Sequence, residues 1–169
     1  MDIDELLVDL KGLRDDEVEA KGKELYEELY INKGNLGVHN CHDGEEVVFW
    51  KDRYEHAFYS SDSHISNRFK KDKIARDRIE RIHWIGKVIV GELPDTECWL
   101  VNGKFNRSIV YHRLYILWPK RYVVWLEKAK GCWKFSSAYV TSSQNIRRYC
   151  KTGSRKIWTY ADNKNKNAP

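Results

Sequence analysis

Past Pro94 the hydrophobic period of this chain changes from helical to alternating and stays alternating. That switch limits the fold more than any other feature of the sequence. Strand-forming stretches over 97–101, 108–118, 121–128 and 132–141 are punctuated by Asn102-Gly103, Pro119-Lys120 and Lys130-Gly131. Turns this short join neighbouring strands antiparallel, so the stretch predicts a meander. By alternation Tyr122, Val124 and Leu126 share one face of their strand. Trp133, Phe135, Ser137 and Tyr139 share one face of the next.

Ahead of the switch the spacing is helical. Leu6, Leu7, Leu10 and Leu13, extended by Leu25, Leu29 and Tyr30, predict a helix over 2–30, weakened by Gly12 and Gly22. A second helix is predicted over 69–90, with Ile74, Ile82, Ile85 and Ile89 in one stripe and Gly91 and Pro94 at its end. A strand is expected over 45–51, a short basic helix over 144–151, an edge strand over 155–160 and disorder from Asp162. Helices followed by strands predict an α+β fold, with N-terminal helices packed on one face of a four- to five-stranded antiparallel sheet. The expected division is an acidic helical segment over 1–37, a main domain over 38–160 and a disordered tail over 161–169.

Charge is split along the chain. Residues 1–50 hold 5 Lys/Arg against 14 Asp/Glu, a net of −9. Residues 51–169 hold 25 against 11, a net of +14, and most of the aromatics. Such a region favours a polyanionic partner. The acidic segment then has two possible roles: a scaffold helix, or a mask over the basic face.

Several chemistries lack their motifs. There is no Walker loop, dinucleotide glycine fingerprint or Gly-x-Ser-x-Gly elbow, so no cofactor is expected. His39-Asn40-Cys41-His42-Asp43 gathers ligand types, but no second cluster follows at zinc-finger spacing, and it reads as a solvated loop rather than a metal site. Four scattered cysteines without a Cys-x-x-Cys pair read as reduced packing thiols. No apolar run approaches bilayer length and the start lacks a signal-peptide n-region, so a cytoplasmic protein without membrane contact is expected.

RNA permits phosphodiester cleavage without a metal, because its own 2′-hydroxyl attacks the neighbouring phosphorus. The protein then supplies a base, an acid and cations for the extra charge on phosphorus. His56 titrates near neutral pH, and the segment behind it is dense in fixed cations, among them Lys70, Lys71, Arg78 and Arg81. Ser137 and Tyr139 offer two hydroxyls on the last strand of the meander.

The order Arg53-Tyr54-x-His56-Ala57-Phe58, then Arg78-Ile79-Glu80-Arg81-Ile82-x-Trp84-Ile85, then strands, then Phe135-Ser136-Ser137-Ala138-Tyr139 resembles the phage-type nucleases of the barnase–EndoU–colicin–RelE superfamily. The resemblance covers roughly residues 47–151. Tyr54-Glu55 stands where the family carries its acidic residue before the histidine, and Ser137 replaces a threonine, keeping the hydroxyl. The resemblance implies a toxin-like or mobile-element endoribonuclease. In it His56 is acid or base, Arg78 or Arg81 and Lys70 or Lys71 hold the scissile phosphate, and Ser137 and Tyr139 position the phosphate or the 2′-hydroxyl. Arg147, Arg148 and Lys151 on the following basic helix would bind RNA, single-stranded or tRNA-like. An acidic antitoxin or immunity protein is the implied protein partner. Two other readings of the residues stay open: a non-catalytic RNA-binding module, with Trp118 and Trp125 as stacking aromatics, and a protein-interaction domain.

Overall fold

The structure, a computed structural model, describes residues 2–32, 38–60 and 73–166. Its first helix starts later than the leucine spacing predicts. Ile3–Leu6 form one 3₁₀ turn, begun by the Asp2 carboxylate accepting the Asp4 N–H at 3.0 Å. Gly12, at φ 78°, then turns the chain through the left-handed region. Helix α1 (Asp15–Tyr26) follows, with the Glu17 carboxylate accepting the Arg14 N–H at 2.8 Å. Asp15, Asp16 and Glu17 fill its first turn, where the exposed amides favour negative charge. A π-helical turn, Glu27–Ile31, continues it.

Next come β1 (Val38–Asn40), β2 (Glu46–Val48), α2 (Arg53–Phe58), β3 (Tyr59–Ser60) and β4 (Lys73–Ile74). The single helix predicted over 69–90 is replaced by β4 and two helices, α3 (Arg76–Glu80) and α4 (Ile82–Ile89). Its expected start at 69–72, with Lys70 and Lys71, lies outside the described residues. The backbone leaves helical values at Arg81, φ −101° and ψ 15°. Re-aimed there, both Ile79 and Ile82 reach 0% exposure. Helix α4 buries Ile82, Trp84, Ile85, Val88 and Ile89 on one side and leaves His83 and Lys87 partly exposed on the other.

The strands β5 (Thr96–Phe105) and β6 (Ser108–Leu117) make a long hairpin. Asn106 and Arg107 close it, both at positive φ as a two-residue hairpin turn requires. After a 3₁₀ turn, Trp118–Lys120, come β7 (Tyr122–Ala129), β8 (Cys132–Val140), α5 (Ser143–Tyr149), β9 (Arg155–Thr159) and α6 (Tyr160–Lys166). Of the tail expected to be disordered, α6 covers residues up to Lys166, and 167–169 lie outside the described residues. Asp162 accepts the Thr159 N–H at 2.8 Å, and the Trp158 indole donates to Asn163 at 3.3 Å, so the chain turns helical there.

The α+β class holds, but the predicted sheet does not. The main sheet has seven strands in the order β1-β2-β8-β7-β6-β5-β9 and curls as a half-barrel. It is mixed, because β2 runs parallel to β8. β1 and β2 are three residues each, too short to carry an alternating pattern. Nor do the helices keep to one face. Val18, Tyr26, Phe58, Ile79 and Ile85 join a core with Tyr115, Leu117, Tyr122, Val124 and Leu126. On the opposite face Ile146 of α5 packs with Leu114, Ile116 and Val123. Helix α1 closes on α2 and α3 at Gly22, where a Cβ would overlap the Tyr54 hydroxyl and lie 2.7 Å from Ile79 Cδ1. No helix among the described residues is long and apolar enough to cross a membrane.

Candidate functional site

The site begins with a fault in the period of β8. Val124 registers with Ala138 and Trp125 with Ser137, but Leu126 registers with Phe135. Ser136 is the extra residue of a β-bulge. The bulge reverses the alternation, so the four side chains predicted on one face divide. Trp133 and Phe135, 3% and 2% exposed, belong to the helix-facing core. Tyr139 packs on the other face, and Ser137 shares that side with it.

Arg53 holds the bulge in place. Its Nε donates to the Ser136 carbonyl at 3.2 Å, and its Nη2 donates to the Ser136 hydroxyl at 2.9 Å. β2 pairs with β8 only at Trp133 and Lys134, so this outer edge has lost its strand neighbour by Ser136. The guanidinium from α2 takes over the edge carbonyl that a strand would have satisfied.

A groove of about 330 Å³ opens on this face, lined by Val101, Gly103, His112, Trp125, Ser136, Ser137 and Tyr139. The Tyr139 hydroxyl accepts from Trp125 Nε1 at 3.1 Å and shares a hydrogen bond with the Tyr149 hydroxyl, also at 3.1 Å. Burial, together with the bond to Tyr149, pushes the Tyr139 phenol far above its usual range, so it keeps its proton. Arg78 lies over the same ring, its Cζ 5.0 Å from the centroid, and donates to the Ala57 carbonyl at 2.9 Å. Beside the groove, Tyr149 of α5 stands edge-on to Trp125 at 5.2 Å. The Ser142 hydroxyl starts α5 by accepting the Asn145 N–H at 3.1 Å.

The expected site residues separate accordingly. Ser137 and Tyr139 line the groove together, and Arg78 lies against the Tyr139 ring without lining it. Arg81 turns away, lying 5.2 Å over Trp84 and donating to the Asp77 carbonyl at 2.7 Å, so Arg78 is the arginine that meets Tyr139. His56 is exposed on α2 and does not line the groove. Arg147 and Arg148 are exposed on α5, and Lys151 is exposed just beyond it. Lys70 and Lys71 lie outside the described residues. Sequence reasoning missed His112, one alternating residue of a strand. It also missed the role of Arg53, whose partner is 83 positions away.

The 39–43 segment is not a solvated loop. Cys41 is 3% exposed. His42 stacks on Trp158 at 4.5 Å, and its Nδ1 is 2.7 Å from the Tyr115 hydroxyl. Asp43 pairs with Arg113 at 2.7 Å. Among the described residues no three His, Cys, Asp or Glu side chains gather as a metal-binding group. Cys41, Cys98, Cys132 and Cys150 are free thiols, and burial pushes Cys41 and Cys98 up. No family model, curated protein or solved structure matches the chain.

Proposed function

We propose that the chain is a metal-independent endoribonuclease that cleaves by attack of the 2′-hydroxyl and leaves a 2′,3′-cyclic phosphate. One observation carries the reading: a protonated phenol (Tyr139) and a serine hydroxyl (Ser137) line one groove with Trp125, and a guanidinium (Arg78) lies against the Tyr139 ring. A phosphodiester needs this set, a fixed cation and neutral donors for its non-bridging oxygens beside a flat surface for a base. Arg78 and Tyr139 hold the phosphate, and Ser137 orients it or the 2′-hydroxyl. Proton transfer needs an imidazole; the family resemblance implies His56, which stands on α2 outside the groove lining. The exposed arginines of α5 add a basic approach suited to single-stranded or tRNA-like RNA. A cytoplasmic, toxin-like or mobile-element nuclease restrained by an acidic antitoxin fits this chemistry.

Total RNA incubated with the full chain in EDTA tests the reading. The wild-type chain is expected to cleave and to yield 2′,3′-cyclic phosphate ends. Tyr139→Phe keeps the ring under Arg78 and removes the donor, and should slow cleavage by roughly 10²-fold. Binding without cleavage by both chains would support a non-catalytic module stacking bases on Trp125 instead.

A further inference from the structure

We propose that His112 is the base of the groove, taking the 2′-hydroxyl proton of a ribonucleotide whose base lies on Trp125. The inference rests on the ribonuclease reading and names a residue that the motif resemblance does not include.

Position is the first argument. His112 sits mid-strand on β6, in register with Val101 on β5 and Glu127 on β7. Its ring stands edge-on to Trp125, 6.0 Å away at 88°. Trp125 registers with Ser137 on β8. Imidazole and hydroxyl therefore stand on opposite sides of the indole, two strands across and two residues along, roughly 12 Å apart at the backbone, a span that the two side chains and a nucleotide between them can close.

Access is the second. Gly103 lies beside the imidazole, where a Cβ would be 3.4 Å from His112 Cε1. An alanine there would touch the ring, and a branched side chain would cover it. The glycine leaves that edge open to the groove. No hydrogen bond holds the His112 ring nitrogens among the described residues, so they are available to a ligand.

Charge state is the third. Partial burial lowers the pKa of His112, and Glu127 across the strand opposes that shift. The ring is thus a neutral acceptor at pH 7. Other titratable or charged groups on this face are Lys134, opposite Glu127, with Tyr139, Tyr149 and Arg78. Burial keeps the Tyr139 phenol protonated at neutral pH.

The step balances without an added reactant. His112 takes the proton from the 2′-hydroxyl, and the 2′-oxygen bonds to phosphorus. The bond from phosphorus to the 5′-oxygen breaks, and that oxygen takes a proton from water. The imidazolium returns its proton to the hydroxide so formed.

The experiment compares wild type, His112→Gln, Gly103→Val and His83→Gln on a short RNA in EDTA, across pH 5 to 9. Circular dichroism monitors fold, and binding of a nucleoside 3′-monophosphate is measured separately. His83 is partly buried and does not line this groove, so His83→Gln should cleave as wild type does. His112→Gln should lose about 10²-fold in cleavage and the acid limb of the rate profile. Gly103→Val keeps the imidazole but covers its edge, and should lose cleavage and nucleotide binding together. If the glutamine variant fails to fold, the valine variant decides. Folded His112→Gln that cleaves within tenfold of wild type, with its acid limb intact, overturns the role of His112 and leaves the ribonuclease reading standing. A wild-type chain that binds RNA and does not cleave it overturns both.

Discussion

A buried guanidinium has to bring its counter-charges with it, and Arg113 does. Its side chain is 7% exposed, 2.7 Å from Asp43 and 3.0 Å from Glu45, and its Cζ lies 4.6 Å over the Trp133 ring. Burial alone would raise the Asp43 carboxyl, but the hydrogen bonds from Arg113 and the Glu45 backbone override it and hold it at about 2. A carboxyl depressed below its ordinary 3.8 stabilises the fold above that value. That contribution is lost as pH falls from about 4 towards 2. Asp43→Asn should therefore flatten the acid limb of a stability-against-pH curve over this window. With Glu45 still in place and Asp43 itself 35% exposed, the loss at neutral pH should be roughly 1–2 kcal/mol, below the ~3–5 expected when a fully buried partner is removed. Urea unfolding of both chains at pH 7 and pH 3 measures it. None of this was legible in His39-Asn40-Cys41-His42-Asp43. Polar residues near a turn look solvated until the partner is known, and Arg113 is 70 positions away.

Elements were easier to read than faces. The four strands of the meander were visible in their alternation, because a half-buried strand has to alternate. The side on which Ser137 lies was not, because one extra residue at Ser136 reverses the alternation and nothing in Phe135-Ser136-Ser137-Ala138-Tyr139 marks it. The break at Arg81 was hidden for a related reason. Isoleucines at helical spacing look alike in one long helix and in two short ones. The bulge carries its own prediction. Arg53→Ala removes both hydrogen bonds to Ser136, which by general magnitudes costs about 1–3 kcal/mol. Ser137 and Tyr139 depend on the bulge for their side of the sheet, so cleavage should fall at least tenfold in a variant that is still folded at assay temperature. Thermal unfolding and RNA cleavage measured on one preparation separate the two effects. Equal rates with a lowered melting temperature would leave Arg53 with a purely structural part.

At the scale of the molecule, the acidic segment and the basic remainder meet through specific pairs. Asp15 contacts Arg76 at 2.8 Å, Glu27 contacts Lys51 at 3.0 Å, and Asp4 contacts Lys120 at 2.5 Å. All six lie outside the lining of the groove, so these contacts tie the segment to the helices and the 118–120 turn rather than over the site. Its apolar side is buried as a core element: Leu10, Val18, Tyr26 and Tyr30 are 4%, 0%, 1% and 3% exposed. The Tyr26 hydroxyl donates to the Trp50 carbonyl at 2.8 Å. The Tyr30 hydroxyl donates to the Ile82 carbonyl at 2.5 Å and accepts the Gly86 N–H at 3.2 Å. Removing residues before Val38 would open to water the side of α4 that α1, the Ile3–Leu6 turn and Tyr30 cover. Each large side chain lost from such a core is worth roughly 2–5 kcal/mol, and a whole domain holds only about 5–15. A chain beginning at Val38 is therefore expected to aggregate or to lose cooperative unfolding, with no gain in RNA affinity. Asp15→Asn in the full chain should fold and cleave as wild type does, since it cuts one surface pair. Near-ultraviolet circular dichroism, a thermal scan and low-salt RNA binding check both chains. A shortened chain that unfolds cooperatively and binds RNA more tightly at low salt would make the acidic segment a mask, and the core contacts of Val18 and Tyr26 dispensable.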